Sequence, residues 1–248
     1  MRPTLSLLSS LACFAALAAG VLVPRNARAD DDTTSDGDSS KEESPPAGPH
    51  GFEAGVRLGY ALPMGQITGS GTNPALSNFY SGMVPLWFDV GYRASPHFYI
   101  GGYFQYGFAF IGPLSGTSTG VSPCSTLDCS GNILAGGLDA RYHVQPEETF
   151  DPWVGLGIGY EVANFTMSQG NSSGTLSFNG FQFLNLSLGG DLRASRSFAV
   201  GPYAMLSFGE YSTCGTSGAA SSLNCNISQT ALHEWLSFGV RASFDTSP

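Results

Sequence analysis

Eight runs of this chain, roughly 51–62, 82–94, 97–111, 132–145, 153–166, 181–194, 198–211 and 231–244, alternate apolar residues with small, polar or charged ones. Successive side chains on a β-strand point to opposite faces, so a two-residue period gives a sheet one greasy face and one polar face. In "LSLGGDLRAS" (186–195), Leu186, Leu188 and Leu192 share one face while Asp191 and Arg193 share the other. No segment holds a helical period, and the chain reads as all-β. Sorted across all eight runs, the polar face collects Glu53, Arg57, Asp89, Arg93, Asp139, Arg141, His143, Glu161, Asp191, Arg193 and Arg241. Apart from the histidine these are five carboxylates and five arginines, a balance that lets every buried charge find a partner.

Alternation alone also fits a soluble, lipocalin-like barrel with a greasy lumen. Four features favour the inverted arrangement. Phe52, Tyr92, Phe98, Tyr142, Phe198 and Phe244 gather at one level of the apolar face, as an interfacial girdle does. The polar face is rich in glycine, and small residues leave room for a few long charged ones inside a narrow barrel. The runs exceed the roughly 9–11 tilted strand residues that cross a bilayer. A closed barrel also satisfies every backbone group in lipid and leaves no edge. Charge is sparse outside the polar face, and Lys41 is the only lysine. The predicted fold is an eight-stranded antiparallel up-and-down transmembrane β-barrel over 51–248, with Asp191 and Arg193 turned inward. Short connections at 94–96, 146–151 and 195–197 alternate with long ones at about 63–81, 112–131, 167–180 and 212–230, so tight turns lie at one end and long loops at the other. Pro85 and Pro202 each remove a ladder donor, which predicts a bulge or a locally broken pair at both.

Residues 1–29 read as a secretory signal peptide: Arg2, an apolar run, then Ala27-Arg28-Ala29 as the cleavage site. Anchoring through Cys13 is the rival reading. Residues 30–50 hold seven acids, one lysine and no large apolar residue, the composition of a disordered acidic tail. The net charge of −9 divides as +3, −6 and −6 over these two segments and the barrel, which argues against nucleic-acid binding.

The barrel segment resembles the small eight-stranded outer-membrane barrels of Gram-negative bacteria, the OmpA-like, OmpX-like and OmpW-like group. Its sharpest local sign is "SFGVRASF", where Ser237, Gly239, Ala242 and Phe244 match the polar, glycine, apolar and aromatic places of that group's assembly signal. Ala242 is small for its place, and four residues follow Phe244 where the family usually stops. The resemblance implies recognition by the barrel-assembly machinery, contact with outer-membrane lipid and lipopolysaccharide, and a monomer. It also places both termini, the acidic tail and the short turns in the periplasm, with the long loops outside the cell.

Cys124, Cys129, Cys214 and Cys225 fall in the predicted outer loops, and export to an oxidising compartment favours disulfides. Of three possible connectivities, 124–129 with 214–225 needs no loop-to-loop contact. No histidine stands near them in sequence, so a metal site is not expected. A barrel hydrolase would draw on His233, Ser237 and Glu210. Four residues of strand, however, separate His233 from Ser237 by about 13 Å, too far for a nucleophile to meet its base. No catalytic residue, metal or cofactor is expected. The functional expectation is a structural or surface-interaction protein, with a small channel or solute carrier as the alternative and a lipid hydrolase further behind.

Overall fold

The computed structural model describes residues 51–69, 75–112, 123–195, 197–223 and 225–246. The expected signal peptide and acidic tail lie outside them. Eight strands follow in chain order: β1 Gly51–Gly65, β2 Tyr80–Ser95, β3 Phe98–Ile111, β4 Asp128–His143, β5 Phe150–Gln169, β6 Ser172–Arg193, β7 Phe198–Gly218 and β8 Leu232–Asp245. Each pairs antiparallel with its neighbours, and β1 pairs with β8, from Glu53↔Asp245 to Gly65↔His233, to close the barrel. A four-residue helix, α1 (Leu76–Phe79), interrupts the first long connection, where no helix was expected.

The alternation sorts the two faces as the sequence implies. Phe52, Val90, Leu138, Leu156 and Val240 are exposed on the outside, whereas Glu53, Arg57, Asp89, Arg141 and Arg241 are buried within. On β5 the outward residues are Val154, Leu156, Ile158, Tyr160 and Val162, and then Asn164, Thr166 and Ser168. Apolar cover thus extends over about the length of strand a bilayer requires and then stops. Among the described residues no helix is long and apolar enough to cross a membrane, and the apolar belt belongs to strands.

Two sequence expectations need correction. The expected loop at 167–180 is strand: β5 and β6 remain paired to Gln169↔Ser172 and turn through Gly170, whose φ of 59° suits a residue without a Cβ. β7 likewise runs on to Gly218, and β4 starts at Asp128. Strands β4 to β7 therefore rise beyond the belt as a sheet, by about 25 Å of β5 past Val162. Pairing of β4 with β3 ends at Ala109↔Gly131 and that of β7 with β8 at Glu210↔Leu232, so this extension has an edge on each side.

The expected break at each proline is present as a lapsed pair, while bulges fall elsewhere. Phe183 is an extra residue in β6, between Gly157↔Asn185 and Gly159↔Gln182, and Ser212 is extra in β7, between Gly180↔Tyr211 and Asn179↔Thr213. Each reverses the alternation along its strand, which is how a bulge re-aims side chains. At Pro85 the β1–β2 pairing lapses between Leu58↔Leu86 and Ala61↔Met83, and at Pro202 the β6–β7 pairing lapses between Gly189↔Tyr203 and Leu192↔Val200. Register is kept across both gaps, so the missing donors break a pair without a bulge.

The second correction is that Cys129 and Cys214 are strand residues of β4 and β7 rather than loop residues.

A closed barrel with this seam should resist SDS in the cold. The unboiled protein is expected to migrate apart from the boiled chain on an SDS gel, and identical mobility would contradict the closed, lipid-facing barrel.

Candidate functional site: the filled barrel interior

At the short-turn end the interior is an ion-pair lattice centred on Glu53. Its carboxylate accepts hydrogen bonds from Arg93 (2.7 and 3.1 Å), Arg141 (3.0 Å) and Arg241, three arginines from three other strands. Arg57 grips Asp89 through two nitrogens and lies 3.5 Å from Asp139, which also accepts from Arg141 at 3.1 Å. Asp191 takes Arg241 and the Trp153 indole N–H, the latter at 3.1 Å. Arg193 stands 3.8 Å from Asp151. Guanidinium planes also rest on aromatic faces, Arg141 over Tyr99 at 3.8 Å and Arg57 over Trp87 at 5.0 Å.

His143 joins this lattice at both ring nitrogens. Arg93 can only donate, so the 3.2 Å contact makes Nε2 of His143 an acceptor, and Nδ1–H then donates to Asp151 at 2.7 Å. Such an Asp–His pair holds the imidazole as a strut, with the nitrogen a catalytic base would use already engaged.

Above the lattice lies a layer of Trp87, Tyr103, Trp153, Tyr203, Met205 and Ala135. Close approach of Tyr103 depends on Gly159 opposite, where a Cβ would fall 2.0 Å from the phenol oxygen. Next comes a second polar node. Glu161, expected among the arginines, instead accepts from Tyr211, Gln182 and the Trp235 indole (3.4 Å), and the imidazole of His233 lies 3.4 Å away. Gln182 in turn accepts from Tyr103 at 3.1 Å. The His233 ring stacks on Tyr211 with centroids 4.0 Å apart.

The end away from the short turns is closed by an apolar cap. Ile67, Leu76, Tyr80, Ile133 and Phe178 form its buried core, and Phe79 of α1 packs edge-on against Phe165 and Phe178. Cys214 and Cys225 pack against this core and are disulfide-bonded; Cys124 is bonded to Cys129. The connectivity is the local one.

Of the hydrolase candidates, the structure brings His233 to Glu161. Ser237 is buried further along β8, and Glu210 stands in register with Phe181 and Leu232 on the outside. Among the expected girdle residues Phe52, Tyr92, Phe98, Tyr142 and Phe244 are exposed, and the half-buried Phe198 packs on Phe244 with centroids 4.8 Å apart. Ser237, Gly239, Ala242 and Phe244 occupy β8 along the seam, where Val56 faces Ala242. The interior residues missed from sequence are chiefly Trp87, Trp153, Trp235, Tyr99, Tyr103, Tyr211, Asp151 and Gln182. Trp87 shares the parity of Asp89, and that signal was sufficient to turn it inward.

No protein-family model matches the sequence, and no curated protein matches it. Solved structures resemble it in fold. The crystal structure of Neisserial surface protein A is 14% identical, with 77% of this chain and 95% of that one covered and a TM-score of 0.45. The outer membrane protein OprG from Pseudomonas aeruginosa is 13% identical over 81% and 99%, with a TM-score of 0.44. The outer membrane protease OmpT from Escherichia coli is 8% identical over 82% and 99%, with a TM-score of 0.40. The chain has the architecture of a small outer-membrane-type barrel. At such scores that description rests on its own residues.

Glu53→Gln removes the counter-charge that three buried arginines share. It is expected to lower unfolding stability by about 3–5 kcal/mol in urea titrations of the detergent- or lipid-embedded barrel. Asp128→Asn, at an exposed strand end, should stay within about 0.5 kcal/mol of wild type.

Proposed function

We propose that this chain is a monomeric outer-membrane barrel with a structural or surface-interaction role, not an enzyme and not an open pore. The observation that carries the reading is the sequence of buried layers between the two ends: ion-pair lattice, aromatic layer, Glu161 node and apolar cap. A lumen of eight strands is just wide enough for side chains to fill, and here they are large: three tryptophans and Arg57, Arg141 and Arg241 are buried in it. In this reading both termini and the short turns face the periplasm, and the barrel-assembly machinery inserts the chain through the β8 signal. Outer-membrane lipid and lipopolysaccharide surround the belt.

What faces the exterior is the extension of β4 to β7. Its outward side carries no cation among the described residues and is internally bonded: Asn164 donates to Asn132 at 2.8 Å, Ser177 donates to Asn164 at 2.7 Å, and Thr166 and Thr175 bond at 2.9 Å. Acids, Asp128, Glu210 and Glu234, are the ionisable residues on the outer surface of this half among the described residues, while the described arginines lie in the lower interior. A rigid, cation-free display of amide and hydroxyl groups supports a surface role for the loop end.

Conductance decides between this and the channel reading. Reconstituted in a planar lipid bilayer, the protein is expected to be nearly silent. Steady single-channel current from the folded protein would replace the structural reading with the channel one.

A further inference from the structure

The lipid-facing wall is not uniformly covered. On β3 the outward residues Ile100, Phe104 and Phe108 are large, yet Gly102 stands among them, and two strands away Ala54 interrupts the outward run of β1. Val90 lies between the two in register, as Ala54↔Val90 and Val90↔Gly102. Together they floor a hollow of about 510 Å³ rimmed by Val56, Phe88, Phe104 and Phe244. Its size falls within the roughly 300–1,000 Å³ of ordinary small-ligand sites.

Nothing in the packing of the barrel requires a glycine at 102. A Cβ there would meet just the Gly137 carbonyl oxygen, at 3.4 Å, whereas one on the adjacent, inward Gly101 would strike the Tyr99 hydroxyl at 2.1 Å. Gly101 is explained by the interior. Gly102 is open toward the outside, and a strand glycine without an internal reason marks close approach of something from without.

We infer that this hollow seats one acyl chain of a phospholipid in the leaflet nearer the short turns. Its lining is apolar on the exposed side and continuous above and below with the lipid-facing belt, so its occupant is hydrocarbon. Gly102 lies four residues into β3 from Phe98 at the short-turn end, about 13 Å along a tilted strand, which sets the hollow at chain depth and in that leaflet. Around the hollow the belt carries protruding side chains, Phe52, Tyr92, Ile100 and Leu138 among them, over which lipid slides. Here a chain lies against backbone under the paired rings of Phe88 and Phe104, which bound the hollow on the side away from the short turns, and exchanges more slowly than its neighbours.

The inference depends on the apolar face meeting lipid, which the gel comparison tests separately. For the inference itself, the full folded chain in nanodiscs of palmitoyl-oleoyl phosphatidylethanolamine and phosphatidylglycerol would be released into mild detergent and weighed by native mass spectrometry. Wild type is expected to carry one phospholipid. Gly102→Phe and Ala54→Phe should lose it while keeping the cold-gel shift, and Leu188→Ala, on β6 across the barrel, should retain it. A bare wild type, an adduct that persists in both filled variants, or a second copy of the chain in place of lipid would overturn the assignment. Independently of any variant, phosphatidylcholine spin-labelled on its acyl chain should broaden the wild-type Gly102 amide resonance more than that of Leu188 on the far side of the barrel. Equal broadening would also overturn it.

Discussion

The whole barrel depends on a carboxylate that no single strand can satisfy. Glu53 sits near the start of β1, and one of its three arginines, Arg241, sits near the end of β8, 188 residues later. A guanidinium or carboxylate turned into a barrel interior without a partner costs several kcal/mol, and removing one member of a buried pair costs about as much. The lattice is complete only when β1 meets β8. An unclosed sheet would leave Glu53 and Arg241 apart with their backbone edges bare, so charge pairing and strand pairing favour the same event.

Layering follows from the shape of the space. A barrel of eight strands has to be filled, and its two ends lie in different surroundings. Near the short turns, long charged side chains reach across to one another over glycine-lined walls. Midway, tryptophan and tyrosine take the volume and lend N–H or O–H groups to carboxylates, as Trp153 does for Asp191 and Tyr211 for Glu161. Beyond the belt water is available to the outer face, and the sheet inverts: Phe165 and Phe178 point in, and Asn164 and Ser177 point out. The cap formed on them is an ordinary hydrophobic core, built where the outside has turned polar.

That inversion explains what could and could not be read in advance. Asp89, Arg57 and Arg241 were legible because parity and charge agree in β1, β2 and β8. Trp87 is legible by its parity with Asp89, although nothing in an aromatic side chain itself marks the inward face. Gln182 was not legible: strict alternation from Leu184 turns it outward, and only the extra Phe183 brings it to Glu161. The extension escaped notice for a related reason. Its two-residue rhythm continues through 164–177 with the greasy and polar sides exchanged, so it reads as a Ser- and Thr-rich loop. Leu76 and Ile67 sit in a segment without period, and their burial under the cap is a tertiary fact.

The two disulfides have a consequence for the company this protein keeps. Above the belt the sheet is no longer a closed ring, and an open sheet offers its outermost strands as templates for any passing strand. Those strands are β4 and β7, and each carries a cysteine, Cys129 and Cys214, bonded to a connecting segment, Cys124 and Cys225. A covalent tether at each flank keeps a piece of the chain's own backbone beside the exposed ladder. The barrel can thus carry a hydrogen-bonding sheet beyond its belt while resisting edge-to-edge polymerisation with its own copies.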